Sequence, residues 1–321
     1  MFTRLYMFFL LAIMAGINKQ AAGVLGSPQE TIWNKRAAYS FVKHSVESGV
    51  YHCIGGHNRL MEPPLSQVPR ELFSSMVILH LLVNLELDEQ VKNKLVADLQ
   101  CAADGEGCYS FFAESTLLPA DADCTALSYD ALLQARIIAC KDVFKPLIAM
   151  IKNVNREGII EVYFNQQRHG RIDPVVCANV LYLVNLLDKR DQAMATEEFL
   201  YRILQEEAYS QGTRYYPSEY MFFYMVARLL DFPLLREKFA PLLTEKLLKM
   251  PPILQDPLDL AIRIICLKKL GLAYDGEAHQ LASLQQADGG WPLCAFFKKG
   301  RSEDFFGSRE IVTAFTIKAL T

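Results

Sequence analysis

Apolar residues recur at helical spacing along almost the whole chain after residue 30, and two kinds of helix alternate. One kind has a charged face and an apolar face, which is typical of a helix with one side in water. It is predicted over 33–48, 87–101, 140–153, 190–207, 234–249 and 274–286. The other kind is apolar nearly all round and must be buried on most sides. It is predicted over 69–85, 121–138, 173–187, 217–231, 255–270 and 307–320.

The strict alternation of six amphipathic and six apolar helices, with a period of about 45–50 residues, indicates a repeat of helical hairpins. No segment shows the sustained alternation that predicts a β-sheet. An open solenoid would leave the flanks of the apolar helices wet, whereas a closed ring encloses them. We therefore predict an all-α fold, an α6/α6 barrel (toroid) of six helical hairpins, which occupies residues 24–321 as one domain.

The first 23 residues contain the features of a secretory signal peptide. Arg4 is followed by an apolar run from Leu5 to Gly16 and then by small residues. The run is too short for an ordinary membrane span, although a membrane anchor and an apolar first helix that packs on the body are alternatives. We expect a protein that is exported to the periplasm or secreted, or that associates with a membrane through this segment.

Charge and cysteine content exclude some classes of function. The net charge is -3 and the basic residues are scattered, so the sequence predicts no nucleic-acid surface. The eight cysteines form no Cys-x-x-Cys pair, which argues against zinc-ribbon and thioredoxin-like sites. In an exported protein some would pair, with Cys101 and Cys108 nearest in sequence, whereas Cys177 and Cys266 are expected to be buried thiols. The pattern leaves the oligomeric state open.

Two motifs resemble the terpene cyclase and protein prenyltransferase superfamily. Residues 285–291, QQADGGW, fit the family's repeat motif Q-x-x-D-G-x-W. Residues 121–126, DADCTA, are similar both to D-x-D-D-T-A of squalene-hopene and other class II terpene cyclases and to D-C-T-A of oxidosqualene cyclases. The resemblance implies that Asp123 is the acid that protonates an alkene or epoxide, that Asp121 supports it, and that Cys124 is its hydrogen-bond partner.

Two carboxyl groups at the start of an apolar helix suit this chemistry. An acid that protonates a double bond must be neutral in its pocket, which burial favours, and a nearby carboxylate opposes a second ionisation. The carbocation that results needs aromatic faces and no water. The alternative interpretation is that Asp121 is an N-cap and Asp123 a first-turn acid favoured by the helix dipole. Asp173 and Asp256, each before a proline, have the same alternative.

We expect the substrate to bind where the loops that enter the inner helices meet, at one mouth of the ring. The predicted substrate-binding residues are Tyr109, Phe111, Phe112, Arg171, Asp173, Tyr216, Trp291, Phe296 and Arg309. Further positive charge in these loops comes from Arg168, His169, Lys298, Lys299 and Arg301. Such a cluster suits a diphosphate, with solvated loop charge as the alternative.

No cofactor is predicted, apart from Mg²⁺ that would accompany a diphosphate substrate. Residues 106–112, EGCYSFF, resemble the zinc-binding D-G-C-Y-S-F-W of protein prenyltransferase β-subunits, and His169 lies downstream. However, glutamate replaces aspartate, and the stretch precedes an inner helix instead of beginning one. Zinc is therefore not expected.

The sequence thus predicts a terpene cyclase-like protein that binds an isoprenoid or similar hydrophobic substrate, with protonation-initiated (class II) cyclisation by Asp123. Class II cyclases close their cavity with a second helical barrel, for which this chain has no residues left. The alternative is therefore a non-catalytic toroid that binds a lipid or a protein, including one at a membrane surface. A glycoside hydrolase or lyase on such a barrel would also use paired acids and aromatic residues.

Overall fold

The computed structural model describes residues 33–114, 116–251 and 255–321, and this part of the chain contains twelve α-helices. The signal peptide or anchor predicted for residues 1–23 lies outside the described residues. Within those ranges no helix is both long and apolar enough to span a membrane.

The twelve helices form six hairpins, each with an outer and an inner helix. The outer helices are α1 (Lys35–Ser48), α3 (Glu89–Gln100), α5 (Phe144–Lys152), α7 (Met194–Glu206), α9 (Pro233–Lys249) and α11 (Asp275–Ser283). The inner helices are α2 (Phe73–Leu82), α4 (Ala122–Gln134), α6 (Pro174–Leu186), α8 (Glu219–Leu229), α10 (Pro257–Leu270) and α12 (Arg309–Leu320). Each inner helix packs against the next, and α12 packs against α2, so the ring is closed. The predicted all-α toroid of six hairpins is confirmed.

Burial follows the predicted distinction between inner and outer helices. Every residue of α2 is buried. In contrast, α3 buries Val91, Leu95, Val96 and Leu99, which are spaced by about one helical turn and form a single apolar face. The hydrophobic core therefore fills the space inside and between the two rings of helices.

Residues 285–291 join the last hairpin to the first. The side chain of Gln285 accepts a hydrogen bond from the backbone N–H of Asn34 (2.7 Å) and donates one to its carbonyl (3.0 Å). A Cβ on Gly289, which has φ 94°, would lie 2.4 Å from the carbonyl oxygen of Ala37, so only glycine allows this approach. Trp291 is fully buried and packs edge-on against Trp33. This segment therefore seals the ring.

A small antiparallel sheet lies at the mouth, which the sequence did not predict. Its strands are β1 (Ile54–Gly56), β2 (Ser66–Gln67), β3 (Phe297–Lys298) and β4 (Phe305–Gly307), in the order β2-β1-β4-β3. The pairing of β1 with β4 connects the loops that enter α2 and α12. Strands of two or three residues are too short to show a two-residue period in the sequence.

The inner helices begin at a common mouth, as expected from the ring. Contacts between the loops that enter them run around this opening: Leu72 N–H donates to Phe111 O (2.8 Å), and Ala122 N–H donates to Val162 O (2.7 Å). In five of these helices the N-cap side chain accepts a hydrogen bond from the first turn, which satisfies an otherwise unpaired donor. These caps are Asp121, Asp173, Ser218, Asp256 and Ser308. The fold therefore gathers acidic and hydroxyl side chains at one opening.

Candidate active site

Two adjoining cavities open at this mouth. The outer cavity has a volume of about 590 Å³ and the inner pocket about 50 Å³. They share the wall residues Phe111, Leu118, Tyr163, Tyr215 and Phe297. The inner pocket is also lined by Asp121, Asp123 and Cys124, from the start of α4. The mouth therefore leads through aromatic walls to a small apolar pocket with two carboxyl groups.

Asp121 is both a helix cap and part of the pocket wall. Its side chain accepts a hydrogen bond from the backbone N–H of Cys124 (2.8 Å). Burial, with the charge of Asp123, raises the pKa of Asp121 to about 7. The two interpretations made from the sequence, N-cap and pocket carboxyl, thus describe the same side chain.

Asp123 is buried, with 7% of its surface exposed. Its Oδ1 accepts a hydrogen bond from Nδ2 of Asn179 (2.8 Å), and its Oδ2 accepts one from the hydroxyl of Tyr216. Burial raises the pKa of Asp123 to about 6, although both hydrogen bonds act in the opposite direction. A carboxyl group in this state is protonated in part of the molecules near neutral pH and can serve as a general acid.

Cys124 is not the hydrogen-bond partner of Asp123, which corrects the prediction. Consecutive helical residues point about 100° apart, so the thiol and the Asp123 carboxyl face different neighbours. Burial, followed by the charge of Asp121, raises the pKa of the Cys124 thiol. Within the described residues, the donors to the Asp123 side chain are Asn179 and Tyr216.

Four of the nine predicted substrate-binding residues line these cavities. Phe111 lines both cavities, Phe112 and Arg171 line the outer cavity, and Tyr216 lines the inner pocket. The aromatic rings of the inner pocket come from several loops and surround the carboxyl groups. These are Phe73, Phe111, Tyr163, Tyr215, Tyr216 and Phe297.

Three other predicted residues support the walls without lining either described cavity. Tyr109 packs edge-on against Tyr129 (centroids 5.5 Å apart). Phe296 lies behind the wall, against Tyr216 (5.8 Å). Asp173 caps α6 and also accepts a hydrogen bond from the backbone N–H of Tyr215 (3.1 Å). Contact of these three residues with a substrate stays a prediction.

Trp291 and Arg309 belong to the ring-closing segment and do not line the described cavities. Arg309 donates from Nε to the carbonyl of Trp291 (3.0 Å) and from Nη1 to Asp288 (2.8 Å). Its guanidinium also lies over the ring of Phe41, 4.8 Å from the centroid. Sequence position placed both residues near the mouth but could not show which way their side chains point.

The outer cavity is strongly cationic. Its lining includes Arg168, Arg171, Arg214, Lys298, Lys299 and Arg301. No aspartate or glutamate is among the described lining residues, and none of the six cations has an ion-pair partner in the described part of the chain. Such a cluster would bind an anion by charge-assisted hydrogen bonds.

The loop that carries two of these arginines is held by a buried carboxylate. Glu161 accepts a hydrogen bond from the backbone N–H of Gly170 (2.8 Å), and its Oε2 lies 2.6 Å from Nδ1 of His169. The guanidinium groups of Arg168 and Arg171 lie over the ring of Tyr163, 5.1 and 5.7 Å from its centroid. The loop is thus positioned beside the inner pocket.

Sequence reasoning missed Asn179 and Arg228. Asn179, on α6, donates to Asp123, and Arg228, on α8, donates from Nη1 to Oδ1 of Asn179 (2.8 Å). The available signal was a polar residue within a largely apolar inner helix. Because buried polar groups are nearly always hydrogen-bonded, such a residue indicates a partner on a neighbouring helix, although it does not name that partner.

The cysteines and the candidate zinc ligands show neither a disulfide nor a metal-binding group in the described part of the chain. All eight cysteines are free thiols, and Cys177 and Cys266 are buried, as predicted. Across the residues that the structure describes, no three His, Cys, Asp or Glu side chains are grouped to hold a metal ion.

Comparison with known proteins identifies relatives in both sequence and fold. Residues 64–186 match the family model "Sesquiterpene cyclase astC-like C-terminal domain". Over 221 residues, 68% of this chain, the sequence is 30% identical to drimenol cyclase drtB of Aspergillus calidoustus. The chain spans 42% of the length of that protein.

Solved structures share the fold at low sequence identity. A variant of the type II terpene cyclase MstE from Scytonema, in complex with geranylgeranyl dihydroxybenzoate, has a TM-score of 0.66 and 13% identity, with 89% of this chain and 95% of that chain covered. A protein of Salmonella enterica described as a possible GH105 member has a TM-score of 0.55 and 12% identity, with 94% and 96% covered. The fold therefore occurs in a terpene cyclase and in a possible GH105 member, whereas the family model and the relative that match in sequence are described as cyclases.

Proposed function

Because the chain is terpene cyclase-like in sequence and fold, we propose that it is a class II cyclase that protonates the terminal alkene of a linear isoprenoid with an anionic head. The observation that carries the proposal is the position of Asp123. Its buried carboxyl, with a pKa raised to about 6, lies in the wall of an aromatic pocket that adjoins a cationic cavity.

The sizes of the two cavities define how such a substrate would bind. The inner pocket, at about 50 Å³, has a third of the volume of a cavity of about 150 Å³ that holds benzene. It is therefore far too small for a whole isoprenoid chain, so only the tip of the chain would enter it. The outer cavity, at about 590 Å³, is of the size of typical ligand sites. The anionic head would lie among its six cations.

In this orientation the terminal alkene meets the acid. The O–H bond of Asp123 breaks as a C–H bond forms at the CH carbon of the terminal double bond, which leaves a carboxylate and a tertiary carbocation at the carbon that carries the two methyl groups. Electron-rich ring faces, such as those of Tyr163 and Tyr215, stabilise the cation, and the small apolar pocket keeps water from trapping it. Attack by the next double bond of the chain then closes a ring and moves the positive charge to a carbon of that double bond. Loss of a proton from a neighbouring carbon to solvent gives the neutral cyclic product, and Asp123 takes up a proton from solvent before the next turnover.

Asp121 would assist by its charge state. Two adjacent buried carboxyl groups do not ionise together readily. Burial and the charge of Asp123 raise the pKa of Asp121 to about 7. Near neutral pH the pair therefore holds at least one proton in much of the population, which is the condition for proton transfer to an alkene.

The outer cavity does not fit a resident Mg²⁺. Hard divalent cations require oxygen ligands, whereas the described lining carries six cationic side chains and no carboxylate. Any Mg²⁺ would arrive with a diphosphate substrate. The six cationic side chains of the outer cavity would themselves neutralise the negative charge of the substrate's head group. We therefore expect turnover to persist in the presence of EDTA.

The test is incubation of the purified protein with farnesyl diphosphate, geranylgeranyl diphosphate and squalene, followed by mass spectrometry of the products. We expect a cyclic product from at least one substrate, and its loss in Asp123→Asn. Asp256→Asn is the matched control, since Asp256 also caps an inner helix but lines neither described cavity. A cyclic product made equally by Asp123→Asn would contradict the proposal. Substrate binding without turnover by the wild type would show a non-catalytic toroid instead.

A further inference from the structure

Arg228 lies behind the acid and touches neither cavity at the mouth. It is on α8, 7% exposed, and its guanidinium forms two side-chain hydrogen bonds to other inner helices. Nη1 donates to Oδ1 of Asn179 (2.8 Å), and Nη2 donates to Asp130 (2.6 Å). A row of polar groups thus runs from Asp123 through Asn179 and Arg228 to Asp130 inside the apolar ring.

The far end of this row is fixed. Although burial opposes ionisation of Asp130, the charge of Arg228 and the hydrogen bonds from His80 and Gln134 hold the pKa of Asp130 below its usual value. Burial, and then the charge of Arg228, lower the pKa of His80, so this imidazole is neutral. The Arg228 guanidinium therefore has an ionised partner, which sets its orientation.

Arg228 determines how the amide of Asn179 is turned. A guanidinium only donates hydrogen bonds, so the carbonyl oxygen of Asn179 must face Arg228. The NH₂ group then faces Asp123, where it donates to Oδ1 (2.8 Å) and to the backbone carbonyl (3.2 Å). The reversed amide would set donor against donor at Arg228 and acceptor against acceptor at Asp123.

This orientation decides which oxygen of Asp123 carries the acidic proton. Because Oδ1 faces an N–H group, it is the carbonyl oxygen of the neutral acid, and the proton is on Oδ2. Oδ2 is the oxygen that contacts Tyr216 in the inner pocket. Unlike an N–H group, the Tyr216 hydroxyl can accept as well as donate, so it is compatible with a proton on Oδ2. Without a donor at position 228, the amide could turn, accept the proton on Oδ1, and hold it away from Oδ2.

We propose that Arg228 is a positioning residue that acts through Asn179 to keep the acidic proton of Asp123 on Oδ2. The proposal rests on the proposed function of Asp123 as the acid. Several titratable or charged groups also act on Asp123 and are left unchanged in the test: Asp121, Cys124, Asp173, Cys177 and Tyr216.

The test compares two double variants that differ in one hydrogen-bond donor. Removal of Arg228 alone would leave Asp130 buried without its cationic partner, which strongly destabilises a protein, so each variant also carries Asp130→Asn. Arg228→Gln retains an amide N–H that can donate to Asn179, whereas Arg228→Met, of similar shape, retains none. Both lose the positive charge, so their difference isolates the orientation of the amide.

The first measurement needs no substrate. The infrared C=O band of neutral Asp123, identified by its loss in Asp123→Asn, is recorded against pH for each protein. We expect the Arg228→Gln variant to keep the wild-type band position and the Arg228→Met variant to shift it, because Oδ1 changes from hydrogen-bond acceptor to protonated oxygen. Equal band positions in the two variants would overturn the proposal. This arm is decisive even if the wild type converts no isoprenoid.

The second measurement is turnover of any substrate that the wild type converts. We expect the Arg228→Met variant to lose about 10–100-fold in kcat, as is typical for loss of an outer-shell partner, with KM unchanged and most of kcat retained by Arg228→Gln. In an Asn179→Ala background the two variants should have equal kcat, because the amide through which residue 228 acts on Asp123 is already absent. A persistent difference in that background would show that Arg228 does not act through Asn179.

Discussion

Replacement of Asp123 by asparagine should make the protein more stable at neutral pH while it removes the acid. Asparagine has nearly the same shape, can accept a hydrogen bond from Asn179 with its oxygen, and can donate one to the oxygen of Tyr216. The packing is therefore retained. The change removes a fully buried carboxyl whose pKa is raised by burial from 3.8 to about 6.

The size of the effect follows from this shift. One pKa unit corresponds to roughly 1.4 kcal/mol, so a shift of about two units makes ionised Asp123 destabilising by about 3 kcal/mol above pH 6. The unfolded carboxyl releases its proton near pH 3.8 and the folded one near pH 6. Between these values the unfolded state binds fewer protons, so the stability of the wild type falls as pH rises through this window. At pH 5 about half of the effect is present.

The assay is urea unfolding of both proteins, followed by circular dichroism at pH 5 and pH 8. We expect the variant to exceed the wild type in free energy of unfolding by about 1.5 kcal/mol at pH 5 and about 3 kcal/mol at pH 8. The comparison at two pH values cancels any constant difference in packing. A variant that is less stable than the wild type at pH 8, or a difference that does not grow with pH, would refute the reasoning.

Three further outcomes are expected. Tyr216→Phe removes a hydrogen bond that lowers the pKa of Asp123, so the alkaline limb of the pH–rate profile should move to higher pH; a move to lower pH would contradict this. Arg171→Ala should raise KM for a diphosphate substrate about tenfold with little change in kcat, an effect that salt weakens; a loss in kcat alone would exclude a role in binding. Gly289→Ala should lower the free energy of unfolding by more than about 3 kcal/mol. Gly271 has open space around it, so Gly271→Ala should lower this free energy by only about 1 kcal/mol, through backbone strain. Equal losses in the two variants would show that the contact at Gly289 is unimportant.

The alternation of amphipathic and apolar helices was sufficient to predict the ring. The apolar periodicity is repeated over many residues, so errors at single positions do not matter, and the observed helices lie within the predicted ranges or one residue beyond them. Strands β1 to β4 were missed because a pairing of two or three residues leaves no periodic signal. Their partners are also distant in sequence, as with Ile54 and Gly307.

The candidate site could be predicted only where the chemistry is local. Asp121 and Asp123 are two positions apart in sequence and share the start of one helix, so their proximity followed from the helix itself. Asn179 and Arg228 were missed because they lie on two other inner helices, from which Asn179 contacts the acid and Arg228 contacts Asn179. Arg309 points to Asp288, a direction that a loop position does not reveal.

Because residues 285–291 close the ring, each of the six hairpins has a neighbour on both sides, and none is structurally the first. The last inner helix packs against the first outer one, as other inner helices pack against the outer helices that follow them. A circularly permuted chain, with residues 33 and 321 joined by a linker and new ends opened at the exposed turn at Gly271, would keep every helix between its present neighbours. The order of synthesis could then be changed without changing the architecture.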